Sequence, residues 1–144
     1  MDHNLIQALH KNARLSNAAL ARQVGLSAPS VAERLRRLEE AGVIGGYRPE
    51  INPAALGLTV TAWLRIRPMP GELHRVADIL LGLPEIVECH RITGDDCFLA
   101  RAHVPSVQAL ETVIDALISY ASTNTSIEQS SPVERRLPDL PRKR

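Results

Sequence analysis

Apolar residues recur along this chain with two different periods, and the change between them divides it. Over the first 50 residues the spacing is helical. Leu5, Ile6 and Leu9 make one face of a short helix that Asp2 can cap and that ends near Asn12. Leu20, Ala21 and Val24 share the inner side of a second helix, with Arg22 and Gln23 turned away. Gly25 supplies a sharp turn without a Cβ penalty, and Leu26 drops back toward the core. Ser27 suits the N-cap of a third helix, and Pro29 is tolerated in its first turn. Val31, Leu35 and Leu38 give that helix one buried stripe, leaving Ser30, Glu33, Arg34, Arg36 and Arg37 outward. This is the pattern of a helix-turn-helix, whose second helix enters the DNA major groove. A structural helical hairpin shares much of it. The order of cap, three arginines and the closing Ala41-Gly42-Val43-Ile44 favours DNA.

Val43 to Arg48 then reads as a short β wing turning at Gly45-Gly46, with Arg48 either touching phosphate or simply solvated. Pro49 to Gly57 forms a stiff connector. From Leu58 the period becomes two: Val60, Ala62, Leu64 and Ile66 alternate with Thr59, Thr61, Trp63, Arg65 and Arg67, which predicts a strand. Leu73, Val76, Ala77 and Leu80 mark a helix that ends at Pro84. Ile86–Thr93 and Cys97–Val104 read as strands joined at Gly94-Asp95-Asp96. Ser106 is placed to cap a helix with Val107, Leu110, Val113, Ile114 and Leu117 inward. A last strand falls between Thr123 and Val133. The order βαββαβ is that of a ferredoxin-like domain.

The predicted class is therefore α+β. A winged helix-turn-helix spans 1–48, a linker 49–57, a ferredoxin-like domain 58–135 and a basic tail 136–144. Prolines and charge in that tail favour disorder, although a DNA-compacting role fits it too. Helices on one sheet face leave the other bare. Trp63 falls there with Cys89 or its neighbours, so a homodimer formed sheet against sheet is predicted; a wet, half-polar face is the alternative.

Composition changes this picture in three respects. Aromatic residues make up 3% of the 144, too few for platforms that stack single-stranded bases. No apolar run approaches spanning length, MDHNLIQ has no signal-peptide pattern, and two cysteines make no disulfide framework. A cytoplasmic protein without a membrane partner is expected. The net charge of +1 hides an uneven distribution. Residues 1–50 carry seven basic and five acidic side chains, 51–135 six and ten, and 136–144 four and one. Acidic middle and basic ends suit two modules with different tasks.

Enzyme chemistry finds little support. Cys89, His90, Cys97 and His103 are metal-ligating types, but strand neighbours such as Cys89 and His90 point to opposite faces, so no metal is expected. No nucleophile–base grouping stands out. Gly45-Gly46 is better explained as wing than as a phosphate cradle, and no cofactor is expected.

The chain resembles the Lrp/AsnC (feast/famine) family of bacterial and archaeal transcription regulators along nearly its full length. The first module carries the likeness in Asp2, Leu5-Ile6, Leu9 and Asn12-Ala13-Arg14-Leu15-Ser16. It continues through Leu20-Ala21, Val24-Gly25-Leu26-Ser27, Val31, Arg34-Leu35, Leu38-Glu39, Gly42-Val43-Ile44 and Tyr47. Beyond it stand Pro53-Ala-Ala-Leu-Gly57-Leu58, then Val87, Cys89 and Arg91-Ile92-Thr93-Gly94-Asp95-Asp96-Cys97-Phe98-Leu99.

The resemblance implies a winged helix-turn-helix followed by a regulatory RAM domain that dimerises. In the family, dimers often assemble into octameric rings that wrap double-stranded DNA, and amino acids or related metabolites bind near the Gly-Asp turn. By position, Thr93, Gly94, Asp95 and Asp96 are the effector-loop candidates. A carboxylate there can meet an α-ammonium group, and turn N–H groups an α-carboxylate. Without the resemblance, Asp95 and Asp96 are ordinary hairpin-turn residues. Two departures stand out: Cys97 replaces a commonly acidic residue, and Glu128-Gln129 follow Ile127 where aliphatics are usual.

Ser27, Ser30, Arg34 and Arg37 are the candidate DNA contacts, with Arg14, Arg36 and Arg48 as further phosphate partners. Two other functions are weighed against this one. A DNA-compacting architectural protein would use the same arginines with a steep salt dependence. A sirohaem-decarboxylase-like enzyme resembles the same two-module layout, but His90-Arg91 stands here without His/Tyr-rich surroundings.

Overall fold

Every apolar stretch of helical period before residue 50 forms a helix in the computed structural model, which describes residues 2–141. These are α1 (His3–Lys11), α2 (Asn17–Val24) and α3 (Ala28–Glu40). Leu5, Ile6, Leu9, Leu20, Ala21, Val31 and Leu38 are buried together, with Leu15, Val24, Leu26, Leu35 and Ile44 half-buried around them. The turn between α2 and α3 is built as its residues require. Gly25 takes a left-handed φ of 70°, and the Leu26 N–H donates to the Ala21 carbonyl at 3.0 Å. Ser27 then caps α3, its Oγ accepting from the Ser30 N–H at 3.3 Å. Asp2 occupies the cap position of α1 but its side chain does not cap; its carboxylate accepts from Arg34 instead.

The expected β wing is not a strand. The Val43 and Ile44 N–H groups both donate to the Leu38 carbonyl, at 2.9 and 3.1 Å, so they close the end of α3. Gly45 to Glu50 then runs on as irregular chain. The tail also differs from expectation. Leu137 and Leu140 are half-buried against the core of the three helices, because two leucines offer enough apolar surface to hold a proline-rich segment down. Residues 142–144 of the expected disordered tail lie outside the described residues. By contacts the chain forms two compact units: the described parts of Met1–Glu50 with Val133–Arg144, and Ile51–Pro132.

The second unit begins with a single 3-10 turn, Pro53–Leu56, inside the expected connector. There follow β1 (Val60–Pro68), α4 (Leu73–Gly82), β2 (Ile86–Arg91), β3 (Phe98–Val104), α5 (Leu110–Leu117) and β4 (Ala121–Ile127). The strands lie in the order β2-β3-β1-β4, each antiparallel to its neighbour. Ala62, Leu64 and Ile66 of β1 and Ala100, Ala102 and Val104 of β3 turn inward onto Val76 and Leu80 of α4 and Leu110, Val113 and Leu117 of α5.

Ser106 caps a tight turn ahead of α5 rather than the helix itself, its Oγ accepting from Ala109 N–H at 3.3 Å. Val107 is consequently 54% exposed, not inward. On β2, a register shift between Ile86 and Glu88 sets Cys89 opposite Ala100 in the core-facing row, and Glu88 opposite Arg101 on the open face. Trp63 therefore shares its row with Glu88, the neighbour of Cys89, and not with Cys89 itself.

Candidate nucleic-acid interface

Helix α3 turns one side to the core through Val31 and Leu38, so the residues between them must face out. Its first turn holds no acidic residue; Pro29 has no N–H, and the Ser30 and Val31 amides are taken by the Ser27 Oγ and carbonyl, which leaves the Ala28 N–H and the Ser27 hydroxyl to meet an anion. Behind that turn stand three arginines in three different settings. Arg34 donates from Nε to Ser30 Oγ at 3.5 Å and pairs with Asp2, which ties α3 to the start of α1. Arg36 gives Nε and Nη2 to the two oxygens of Glu33, at 3.0 and 2.9 Å, and Nη1 to Glu40. Arg37 gives only Nε to Glu33, at 2.9 Å, and its side chain remains 71% exposed.

Glu33 is thus the hub. Hydrogen bonds from Arg36 and then Arg37 hold its carboxyl at about 2, so it is ionised throughout the physiological range. The carboxylates of Glu33 and Glu40 raise Arg36 in turn. Farther along, Tyr47 donates its hydroxyl to Glu39 at 2.6 Å. Burial, then that bond, pushes the phenol up to about 12. Arg14 and Arg48 are exposed and make no ion pair among the described residues. The Arg14 N–H donates to Asn12 Oδ1 at 3.0 Å, which shapes the bend after α1.

Ser30 and the three arginines share α3 and Ser27 caps it, as the sequence predicts, but the sequence offers Asp2 only as a cap and Glu33 only as an outward residue, not as partners of these arginines. Asp2 pairs across 32 residues and left no local signal. Glu33 did leave one, since it stands three and four residues before Arg36 and Arg37.

In the second unit, Thr93, Gly94, Asp95 and Asp96 sit together at the tip between β2 and β3. The Ile92 N–H donates to the Cys97 carbonyl at 2.8 Å, and Phe98 N–H to that of Asp96 at 2.7 Å. Gly94 takes a φ of 99°, and Cys97 is the one described non-glycine residue with positive φ, at 61°. Thr93, Gly94 and Asp95 are exposed and Asp96 half-buried. Cys89 and His90 lie on opposite sheet faces, and among the described residues no three His, Cys, Asp or Glu gather as a metal site.

The open sheet face carries a polar row. Arg101 donates to Glu88 at 2.8 Å and stacks over Trp63 at 5.5 Å, and the indole N–H donates to Glu128 at 2.9 Å. That bond, with one from Ser131, lowers the Glu128 carboxyl. Beside it His103 Nδ1 lies 3.0 Å from Thr61 Oγ1.

Known proteins share both modules. Residues 1–44 match the winged helix-turn-helix DNA-binding model, and residues 61–138 the Lrp/AsnC ligand binding domain. The chain is 35% identical over 127 residues to the HTH-type transcriptional regulator LrpC of Bacillus subtilis, covering 88% of each protein. It is 34% identical over 117 residues to the leucine-responsive regulatory protein of Escherichia coli K12, covering 79% of this chain and 71% of that one. The solved structure of B. subtilis LrpC superposes with a TM-score of 0.87 over 93% of this chain and 96% of the other, at 34% identity. A Neisseria meningitidis transcriptional regulator in complex with L-methionine superposes at 0.86 and 27% identity, over 95% and 94% of the two chains.

Proposed function

Since this chain belongs to the Lrp/AsnC family of transcriptional regulators, we propose that it binds particular double-stranded DNA sequences as a homodimer and answers to an amino acid. The observation that carries the reading is the outward side of α3, where Ser27 and Arg37 are exposed and Ser30 and Arg34 half-buried, with no acidic residue in the first turn of the helix. The Ser27 hydroxyl and the Ala28 N–H suit phosphate, which fixes position, while Arg34 and Arg37 can reach base edges. Arg14 and Arg48 add exposed charge for backbone contacts. Arg36, also a phosphate candidate, stands between two carboxylates and contributes less.

The effector reading places an amino acid at Thr93, Gly94, Asp95 and Asp96, where exposed backbone and two carboxylates offer partners for both ends of a zwitterion. It is supported by the methionine complex of the Neisseria regulator. The open sheet face supports dimerisation. Trp63 stands there only half-buried, and a second copy would cover it. Further assembly to an octamer follows from family likeness alone.

Titration of a duplex selected from a random pool tests the DNA contacts. Arg34→Ala and Arg37→Ala should each weaken binding by about 1–3 kcal/mol if a base contact is lost. Unchanged curves for both would overturn the assignment. Light scattering combined with a thermal-shift screen of the twenty amino acids tests the remainder. A mass of two chains or a multiple, and one ligand that raises the midpoint, are expected. A monomer indifferent to all twenty would refute both parts.

A further inference from the structure

The three arginines of α3 are not equivalent, and what separates them is Glu33. A guanidinium reads guanine O6 and N7 with two parallel N–H groups, so an arginine engaged elsewhere has less to offer. Arg36 commits three of its five N–H groups, one each on Nε, Nη1 and Nη2, to Glu33 and Glu40. Arg34 commits its Nε–H to Ser30 and one Nη1–H to Asp2, so one arm of its terminal fork is tied to a carboxylate. Arg37 has spent Nε alone, and its two terminal nitrogens take no hydrogen bond among the described residues. The free pair on Arg37 is the end-on fork that a guanine edge requires.

We propose that Glu33 is a specificity-determining residue of this regulator, a positioning carboxylate that aims the terminal fork of Arg37 at guanine and withdraws Arg36 from DNA. The proposal rests on the reading of α3 as the recognition helix. Two physical points carry it. A carboxylate 2.9 Å from the Arg37 Nε fixes one end of a side chain that otherwise loses much rotamer freedom on binding. The same negative charge repels phosphate oxygens, so the Glu33–Arg37 pair is penalised on the backbone and tolerated against the uncharged edge of a base pair. Glu33 stays ionised in this role, because two arginines serve it.

Selection of the full-length protein on a randomised duplex pool, followed by sequencing, tests this. Wild type should enrich a motif with one strongly preferred guanine per half-site. Arg37→Ala should lose that preference. Glu33→Gln should relax the same position by roughly ten-fold, leave the base preference at the other positions in place and, by releasing Arg36 toward phosphate, steepen the salt dependence of binding. The double variant should be no worse at that position than Arg37→Ala alone. Thermal midpoints of all variants, expected to stay close to wild type for exposed positions, separate a positioning role from a folding one. A Glu33→Gln motif identical to wild type overturns the proposal and leaves the recognition-helix reading intact. So does a Glu33→Gln protein that binds every duplex more tightly with its guanine preference intact, which would make Glu33 a plain repulsive charge. A wild type that enriches nothing overturns the recognition-helix reading itself.

Discussion

His103 illustrates how a single side chain ties the open sheet face to pH. Burial, then the Arg101 guanidinium, hold its imidazole below the ordinary histidine value, with Glu128 pulling the other way. The folded chain therefore resists a proton that the unfolded chain accepts. Stability is complete above about pH 7 and declines as pH falls through the usual histidine range near 6.5 toward the lowered folded value. His103→Gln should flatten the fall in thermal midpoint between pH 7.5 and 5.5. A wild-type midpoint that holds constant over that range would refute the assignment. Thr61 and Glu128 are brought to the ring by strand pairing from far along the chain, while Arg101 stands two residues before His103 on β3. Pairing across strands leaves no local signal in the chain, whereas the Glu33 pairs stand at the three- and four-residue spacing of a helix and are legible in the sequence.

Elements were legible where burial follows a period. The stripes of α1, α2 and α3 and the alternation of β1 and β3 predicted both type and inward face, because a core selects apolar residues at those repeats. Legibility failed where the deciding partner is a backbone group. The wing was read from Gly45-Gly46, yet the Val43 and Ile44 amides are taken by the Leu38 carbonyl. Ser106 was read as the cap of α5, yet its bond closes one turn ahead of it. The cap of α3, by contrast, stands where the sequence placed it. Ser27→Ala should cost about 1 kcal/mol of stability by urea unfolding, and Ser27→Gly only a few tenths. Equal losses for the two would argue that the Oγ does no capping. The effector-loop candidates Thr93 to Asp96 do share one tip, but their pairing with an amino acid is left to the ligand screen.

At the scale of the molecule, βαββαβ order and a helical first module were both legible, since a change of period marks them without knowledge of contacts. The path of the chain was not. It leaves the three-helix unit at Glu50, and Val133 onward is counted with that unit again, where Leu137 and Leu140 seat against the same core. Topologically, the ferredoxin-like portion is an insert within the helical one, tethered at both ends. The fragment 1–50 alone therefore lacks part of its own hydrophobic packing, worth about 2 kcal/mol for two half-covered leucines. Leu137→Ala with Leu140→Ala in the intact chain should therefore lower the stability of the helical unit by about 2 kcal/mol in urea unfolding. A urea midpoint unchanged by the two substitutions would show that the returning end is no clasp.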